Sequence, residues 1–226
     1  MVRSQTAIRQ LAPTLSLRDT VENSLSTAII SGELAPLTLV SVPTLAARFG
    51  VSATPVREAM LNLEKRGFVE AIKNRGFRVT KVSDHDLREI VQVRRWLEGS
   101  AMRVVAQELP KVPIGQYRKL ADDIVTAAER SDFPQFLSAD ASFHLALLKL
   151  TGNKRLLELV TEMRGQTRMV GLVRMADSIE LRKSAVEHHE LLNLLAEGKA
   201  EESERLIHNH IGHVIGWWAG RAEQAL

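Results

Sequence analysis

A chain of 226 residues with 45% hydrophobic and 25% charged content has room for two modest domains and the composition of a globular protein. It contains no Cys, which excludes disulfides and thiolate metal sites, so any metal must be held by His and carboxylates. No apolar run approaches the roughly 20 residues of a membrane span, and the N-terminus lacks an apolar signal core, so the expected location is the cytoplasm, with no membrane partner.

The net charge of +3 is unevenly spread. Residues 1–83 carry 11 Lys and Arg against 6 Asp and Glu, whereas the remainder carries 19 against 21. A basic first third suggests contact with a polyanion, the alternative being charge scattered over a solvated face.

In chain order, "LRDTVENSLSTAIIS" spaces Leu17, Val21, Leu25, Ala28 and Ile29 as one face of a helix, stopped by Gly32. "PTLAARFG" reads as a short helix with Pro43 in its first turn and Gly50 as its stop. Ser52 then caps a third helix, with Pro55 in its first turn, Val56, Ala59, Met60 and Leu63 as its apolar stripe, and Gly67 as its end. "FVEAI", the turn "KNRG" and "FRVT" predict two short strands. Helix, helix, turn, helix, hairpin is the order of a winged helix-turn-helix. In that motif the first turn of the third helix enters the major groove, and Thr54 and Arg57 lie on its outward face, opposite Met60 and Leu63.

The rest of the chain has helical periodicity and no convincing strand. One long helix is predicted over 83–109, beginning at Ser83 and Asp84, followed by a Pro/Gly loop over 110–115. Further helices are predicted over about 115–130, 133–150, 153–175, 178–197 and 200–222. The fold class is therefore mainly α: an N-terminal winged helix-turn-helix over 15–82 and a C-terminal all-α antiparallel helical bundle over 84–222.

Asp140 and His144, four residues apart, share a helix face, and the bland alternative is a simple polar contact between them. A helix hairpin turning near Gly198 and Lys199 would bring His188 and His210 level, both on apolar faces, with His213 as an alternative to His210. His189 and His208 lie on more mixed faces. Three imidazoles and one carboxylate suit a divalent metal, Zn²⁺, Ni²⁺ or Mn²⁺, unless these His are hydrogen-bonded core residues. There is no H-E-x-x-H, G-x-S-x-G, P-loop or G-x-G-x-x-G, so the chain is not read as an enzyme. A metal-dependent hydrolase or lyase with an appended basic domain is the alternative.

The stretch "LAARFGVSATPVREAMLNLEKRGFVEAIKNRGFRV" resembles the DNA-binding domain of the GntR family of bacterial transcription regulators. "FLSADASFHLALLKLTGNKRLLEL" and "EHHELLNLLAEGKAEESERLIHNHI" resemble the all-α effector domain of its FCD branch, and the likeness spans about residues 15 to 218. The resemblance implies a homodimeric, metabolite-responsive regulator, expected to be a repressor, on double-stranded operator DNA. It also implies a small carboxylate effector and a divalent metal, zinc first, on Asp140, His144, His188 and His210. The family's pocket Arg, in Val-Arg-x-x-Leu-Glu, matches Arg94 as an effector-binding residue. On the DNA side the matching residues are Arg48, Ser52, Thr54, Pro55 and Arg57, with Lys73, Asn74, Arg75 and Gly76 in the wing. Gly76 is expected to supply the positive φ of the wing turn and a close backbone approach to phosphate. Where the family usually has Arg after Gly-Val-Ser, this chain has Ala53, which puts the usual operator half-site in doubt.

Overall fold

A computed structural model describes residues 16–167, 169 and 172–217. The first helix, α1 (Leu17–Ser31), begins with a capping box in which the Ser16 hydroxyl accepts from the Asp19 N–H and the Asp19 carboxylate accepts from the Ser16 N–H. It ends on Gly32 in the left-handed region. After it come β1 (Leu39–Val40), α2 (Val42–Phe49), α3 (Ala53–Lys65), β2 (Val69–Ile72) and β3 (Gly76–Val79). The sheet is antiparallel in the order β1-β3-β2, pairing Val40 with Phe77 and Glu70 with Arg78. β1 was not expected. Two residues give no alternation to detect, and the strand exists because Leu39 and Val40 find the open edge of β3.

Val21, Leu25 and Ile29 of α1 pack with Val56, Met60 and Leu63 of α3 and with Phe68 and Val79 of the hairpin in one buried cluster. A second, larger cluster is built from the helices that follow: α4 (Asp84–Arg94), α5 (Ser100–Glu108), α6 (Gly115–Glu129), α7 (Phe133–Lys149), α8 (Lys154–Gln166), α9 (Ile179–Ala196) and α10 (Ala200–Gly212). Ser83, Asp132, Asn153 and Ser178 accept the N-terminal hydrogen bonds of α4, α7, α8 and α9, which is why those boundaries could be read from the sequence. Among the described residues no helix is long and apolar enough to cross a membrane.

Three boundaries differ from expectation. The long helix over 83–109 is interrupted between α4 and α5 by a π-helical turn, Arg95–Gly99. Its wider backbone lets the Arg95 carbonyl accept from His208 Nε2 at 3.1 Å, while Arg95 Nε donates to the His208 carbonyl at 2.9 Å. Gly99 sits directly under the His208 ring, where a Cβ would collide. The helix expected over 153–175 ends at Gln166, and Thr167 turns extended. The chain there is held by a tertiary bond, Met169 N–H to the Ile30 carbonyl at the end of α1, 2.8 Å. A short 3₁₀ turn, Leu172–Met175, leads to α9. Finally, α10 ends at Gly212 and turns follow over 213–216, short of the expected 222; residues 218–222 lie outside the described residues.

Candidate metal centre and DNA-facing surface

Asp140 and His144 project from adjacent turns of α7, His188 from α9 and His210 from α10. One ligand atom from each lies within 4.8 Å of all the others, and all four residues are buried. Asp140 Oδ1 is 3.1 Å from His188 Nε2, 3.6 Å from His144 Nε2 and 3.9 Å from His210 Nε2. His144 and His188 face each other, Nε2 to Nε2, at 3.2 Å. Ligand atoms about 2.0–2.1 Å from a tetrahedral ion stand roughly 3.3–3.4 Å apart, so the spacing fits a single small cation.

The hydrogen bonds around the rings decide what faces inward. His188 Nδ1 lies 3.1 Å from the Ala185 carbonyl, which can only accept, so Nδ1 carries the proton. Burial pushes the His188 pKa down, against the pull of Asp140, and keeps the ring neutral. Its Nε2 therefore presents a lone pair to an Asp140 oxygen and to another imidazole nitrogen. Together with His144 Nε2, His210 Nε2 and the Asp140 oxygen it forms a set of ligand atoms that could hold a cation. His144 is also neutral: burial, with the nearby Arg164 guanidinium, lowers it to about 3. His210 donates from Nδ1 to Glu187 Oε2 at 2.8 Å. Burial works against its charged form, but the bonds to Asp140 and Glu187 prevail and raise its pKa. Asp140 is held well below the usual carboxylate range, because Arg164 and the three His outweigh the burial penalty.

Glu187 also receives His213 Nε2 at 2.9 Å, and the His213 ring stacks on Trp217 with centroids 4.1 Å apart. The structure thus brings His210 to Asp140 and places His213 behind it, on Glu187. Burial raises the Glu187 carboxyl, but the two His bonds overcome this and lower it to about 2, so it is charged. His189 instead meets Asp122, 3.2 Å away.

A chain of ion pairs leads away from Asp140. Its second oxygen accepts from Arg164 of α8, whose other nitrogen donates to Glu98 Oε2 at 3.3 Å. The other Glu98 oxygen accepts from Arg94 Nε at 2.6 Å, and Arg94 Nη1 reaches Thr167 Oγ1 at 3.5 Å. Arg94 is buried on the wall of a small cavity of about 10 Å³, shared with Asp140, Arg164, His210 and Met169. The cavity as it stands has room for about one water. Glu98 was legible only as the fourth residue after Arg94, and Glu187 only as a neighbour of His188. Arg164 gave no signal, since nothing in "RLLELVTEMRGQ" separates it from a solvated helix charge.

The residues expected to meet DNA lie away from this centre. Arg48 is exposed in the last turn of α2, and Ser52, Thr54 and Arg57 are exposed and Pro55 half-buried at the start of α3. Ser52 occupies the N-cap without making a side-chain capping bond. Lys73, Asn74 and Arg75 are exposed in the hairpin turn, with Asn74 at φ 59° and Gly76 at φ 114°. The space a Gly76 Cβ would take is held by the Val40 carbonyl of β1, so packing inside the sheet already demands glycine there. Arg66 and Arg78 are tied to Glu22 and Glu70, both at 2.8 Å. Arg48, Arg57, Lys73 and Arg75 make no ion pair among the described residues.

Comparison with known proteins accounts for both halves. The FCD domain model matches residues 89–213, more than half of the chain, and the model of the bacterial regulatory proteins of the gntR family matches residues 17–79. The chain belongs to the GntR family and carries an FCD domain. This GntR regulator is 30% identical over 169 residues to the Nta operon transcriptional regulator of Aminobacter aminovorans, spanning 74% of this chain and 78% of that one. It is also 30% identical over 167 residues to a Paenarthrobacter nicotinovorans protein described as "Probable D-xylose utilization operon transcriptional repressor", spanning 74% and 73%. Among solved structures, E. coli McbR/YncC superposes with a TM-score of 0.77 at 26% identity, covering 92% of this chain and 99% of that one. The GntR regulator is therefore a DNA-binding transcription regulator with a small-molecule effector domain, not an enzyme, and the hydrolase or lyase alternative falls. Its buried Asp/His cluster could hold a metal, as FCD domains often do.

Proposed function

We propose that this regulator is a cytoplasmic repressor that binds double-stranded operator DNA as a homodimer, with a small carboxylate effector held at a divalent metal, zinc first, controlling its DNA affinity. Residues 15–82 form the DNA-binding domain and 84–222 the effector domain. The observation that carries the metal reading is the convergence of one ligand atom each from Asp140, His144, His188 and His210 within 4.8 Å of one another, with the far side of His188 held by the Ala185 carbonyl. Asp140, His144, His188 and His210 hold the ion, while Ala185 and Glu187 fix the imidazoles so that Nε2 points inward. When bound, the ion supplies a positive centre with coordination positions left for an anionic oxygen. Arg94 and Arg164 line the same cavity, which favours an anion, and its apolar wall of Phe136, Ile211 and Val214 limits the anion's size.

Arg48, Arg57, Lys73 and Arg75 are exposed cations without an ion-pair partner among the described residues, which supports their engaging phosphate and base edges. Ser52, Thr54 and Pro55 form the leading turn of α3, and Asn74 and Gly76 shape the wing. The name of the Paenarthrobacter relative supports repression. Effector capture is felt at the DNA-binding domain through Met169, which lines the cavity and bonds to the end of α1. The test is a melting-temperature series on EDTA-treated protein with zinc, then with a panel of carboxylate metabolites, paired with operator-binding titrations. Zinc is expected to raise the melting temperature, and an effector at about 100 times its Kd to add roughly 2.7 kcal/mol only when zinc is present. No response to zinc, or an effector response indifferent to EDTA, refutes the reading.

A further inference from the structure

The effector cavity contains one polar group that the protein leaves unused. Among the described residues, the buried Ser and Thr hydroxyls in or ending helices bond back to a main-chain carbonyl. Ser26 reaches the Asn23 carbonyl at 3.0 Å, Ser31 that of Ala28 at 3.3 Å, Thr167 that of Met163 at 3.0 Å and Ser203 that of Lys199 at 2.7 Å. Two buried oxygens break this pattern, Ser131 Oγ in the turn after α6 and Ser184 Oγ, and of the two it is Ser184 that lies on the cavity wall. It is 1% exposed, lies one turn before His188 on α9, and its Oγ has no hydrogen-bond partner among the described residues. A helical Ser can satisfy itself on the preceding turn at little cost, so a hydroxyl left bare in a buried place stands out. Ser184 is also on the cavity wall, beside Arg94, Asp140, Arg164 and His210.

We propose that Ser184 is a specificity-determining residue of this cavity, exchanging a hydrogen bond with a hydroxyl or carbonyl carried by the effector. The effector is then a small oxygenated carboxylic acid and not a plain alkanoate. The inference rests on the carboxylate reading above. A hydroxyl both donates and accepts, so either an alcohol or a keto group satisfies it. An acid lacking that group occupies the cavity but leaves Ser184 as unpaired as it was, and so gains nothing there. Of the other groups on the wall, Phe136, Met169 and Val214 are apolar, and Arg94 and Arg164 are already bonded to Glu98 and Asp140.

The experiment is calorimetric titration of the zinc-loaded full chain with two pairs of acids differing by one oxygen: propanoate against 2-hydroxypropanoate, and butanedioate against 2-hydroxybutanedioate. The wild type is expected to prefer the hydroxy acid by about tenfold in at least one pair. Ser184→Ala should reduce that preference to within about twofold without lowering the ligand-free melting temperature, because Ala favours the helix and only an unpaired hydroxyl is lost. No preference in the wild type overturns the assignment to Ser184, as does the same preference in S184A or an equal loss of both acids in S184A. All three leave the carboxylate reading standing. If zinc binds and none of the four acids does, both readings fall together.

Discussion

Glu98→Gln tests whether the ion-pair chain between α4 and the metal centre is as charged as its geometry implies. Glu98 lies in the π turn with its side chain 1% exposed, and it holds two guanidinium groups at once, Arg94 at 2.6 Å and Arg164 at 3.3 Å. Neutralising it leaves Arg94, whose side chain is 3% exposed, without a carboxylate partner, and Arg164 with Asp140 alone. Breaking one side of a buried pair costs about 3–5 kcal/mol because the remaining charge stays desolvated. For a chain of this size that corresponds to a drop in melting temperature on the order of 10 °C. The pH dependence fixes the sign. Burial pushes the Glu98 carboxyl up, but Arg94 and Arg164 outweigh it, so its folded pKa lies below its ordinary 4.5. Its contribution is therefore present above the unfolded pKa and is lost as pH falls through the folded one. Urea unfolding of wild type and E98Q, both in EDTA, at pH 7 and at successive steps below pH 4.5 measures this. The gap between them should be about 3–5 kcal/mol at pH 7 and close as the solution is acidified. A gap under about 1 kcal/mol at pH 7, or one that does not change with pH, would refute the argument.

Glu187→Ala removes the acceptor that orients His210 and should weaken zinc binding about 10- to 100-fold in a chelator competition, with unchanged affinity counting against that role. Arg57→Ala should cost about 1–3 kcal/mol of operator binding at physiological salt if the guanidinium reads a base edge. An intact affinity would remove α3 from the interface. Gly76→Ala puts a Cβ against the Val40 carbonyl at a φ of 114°, and should destabilise the N-terminal unit by about 1–3 kcal/mol. An unaltered urea midpoint for the winged domain would show that the hairpin can shift away.

Much of this protein is written in short-range chemistry. Ser16, Ser83 and Ser178 start helices because a hydroxyl three residues ahead of a backbone N–H satisfies it wherever the chain goes. Gly32, Gly50 and Gly198 mark helix stops because only a residue tolerant of positive φ reverses the chain cheaply. Apolar periodicity separated the inward faces of His188 and His210 from the mixed faces of His189 and His208, and Asp140 and His144 shared a face by spacing alone. The sequence could thus nominate the four residues that the fold brings together.

What lay beyond it depends on partners distant in the chain. β1 needs the edge of β3, and α8 stops at Gln166 where Met169 bonds to Ile30, 139 residues earlier, overriding a pattern that would continue the helix. The π turn at Arg95–Gly99 accommodates a histidine from α10, and local propensity carries no record of that neighbour. Arg164 looks like any helix-surface cation until α8 is laid against α4 and α7, where it bridges Glu98 and Asp140. The bare lone pair of His188 follows from the Ala185 carbonyl on one side and burial on the other. The identity of the cluster was local information; its protonation, its orientation and its single unused hydroxyl were decided by packing, because desolvation and hydrogen-bond geometry exist only once the helices are in place.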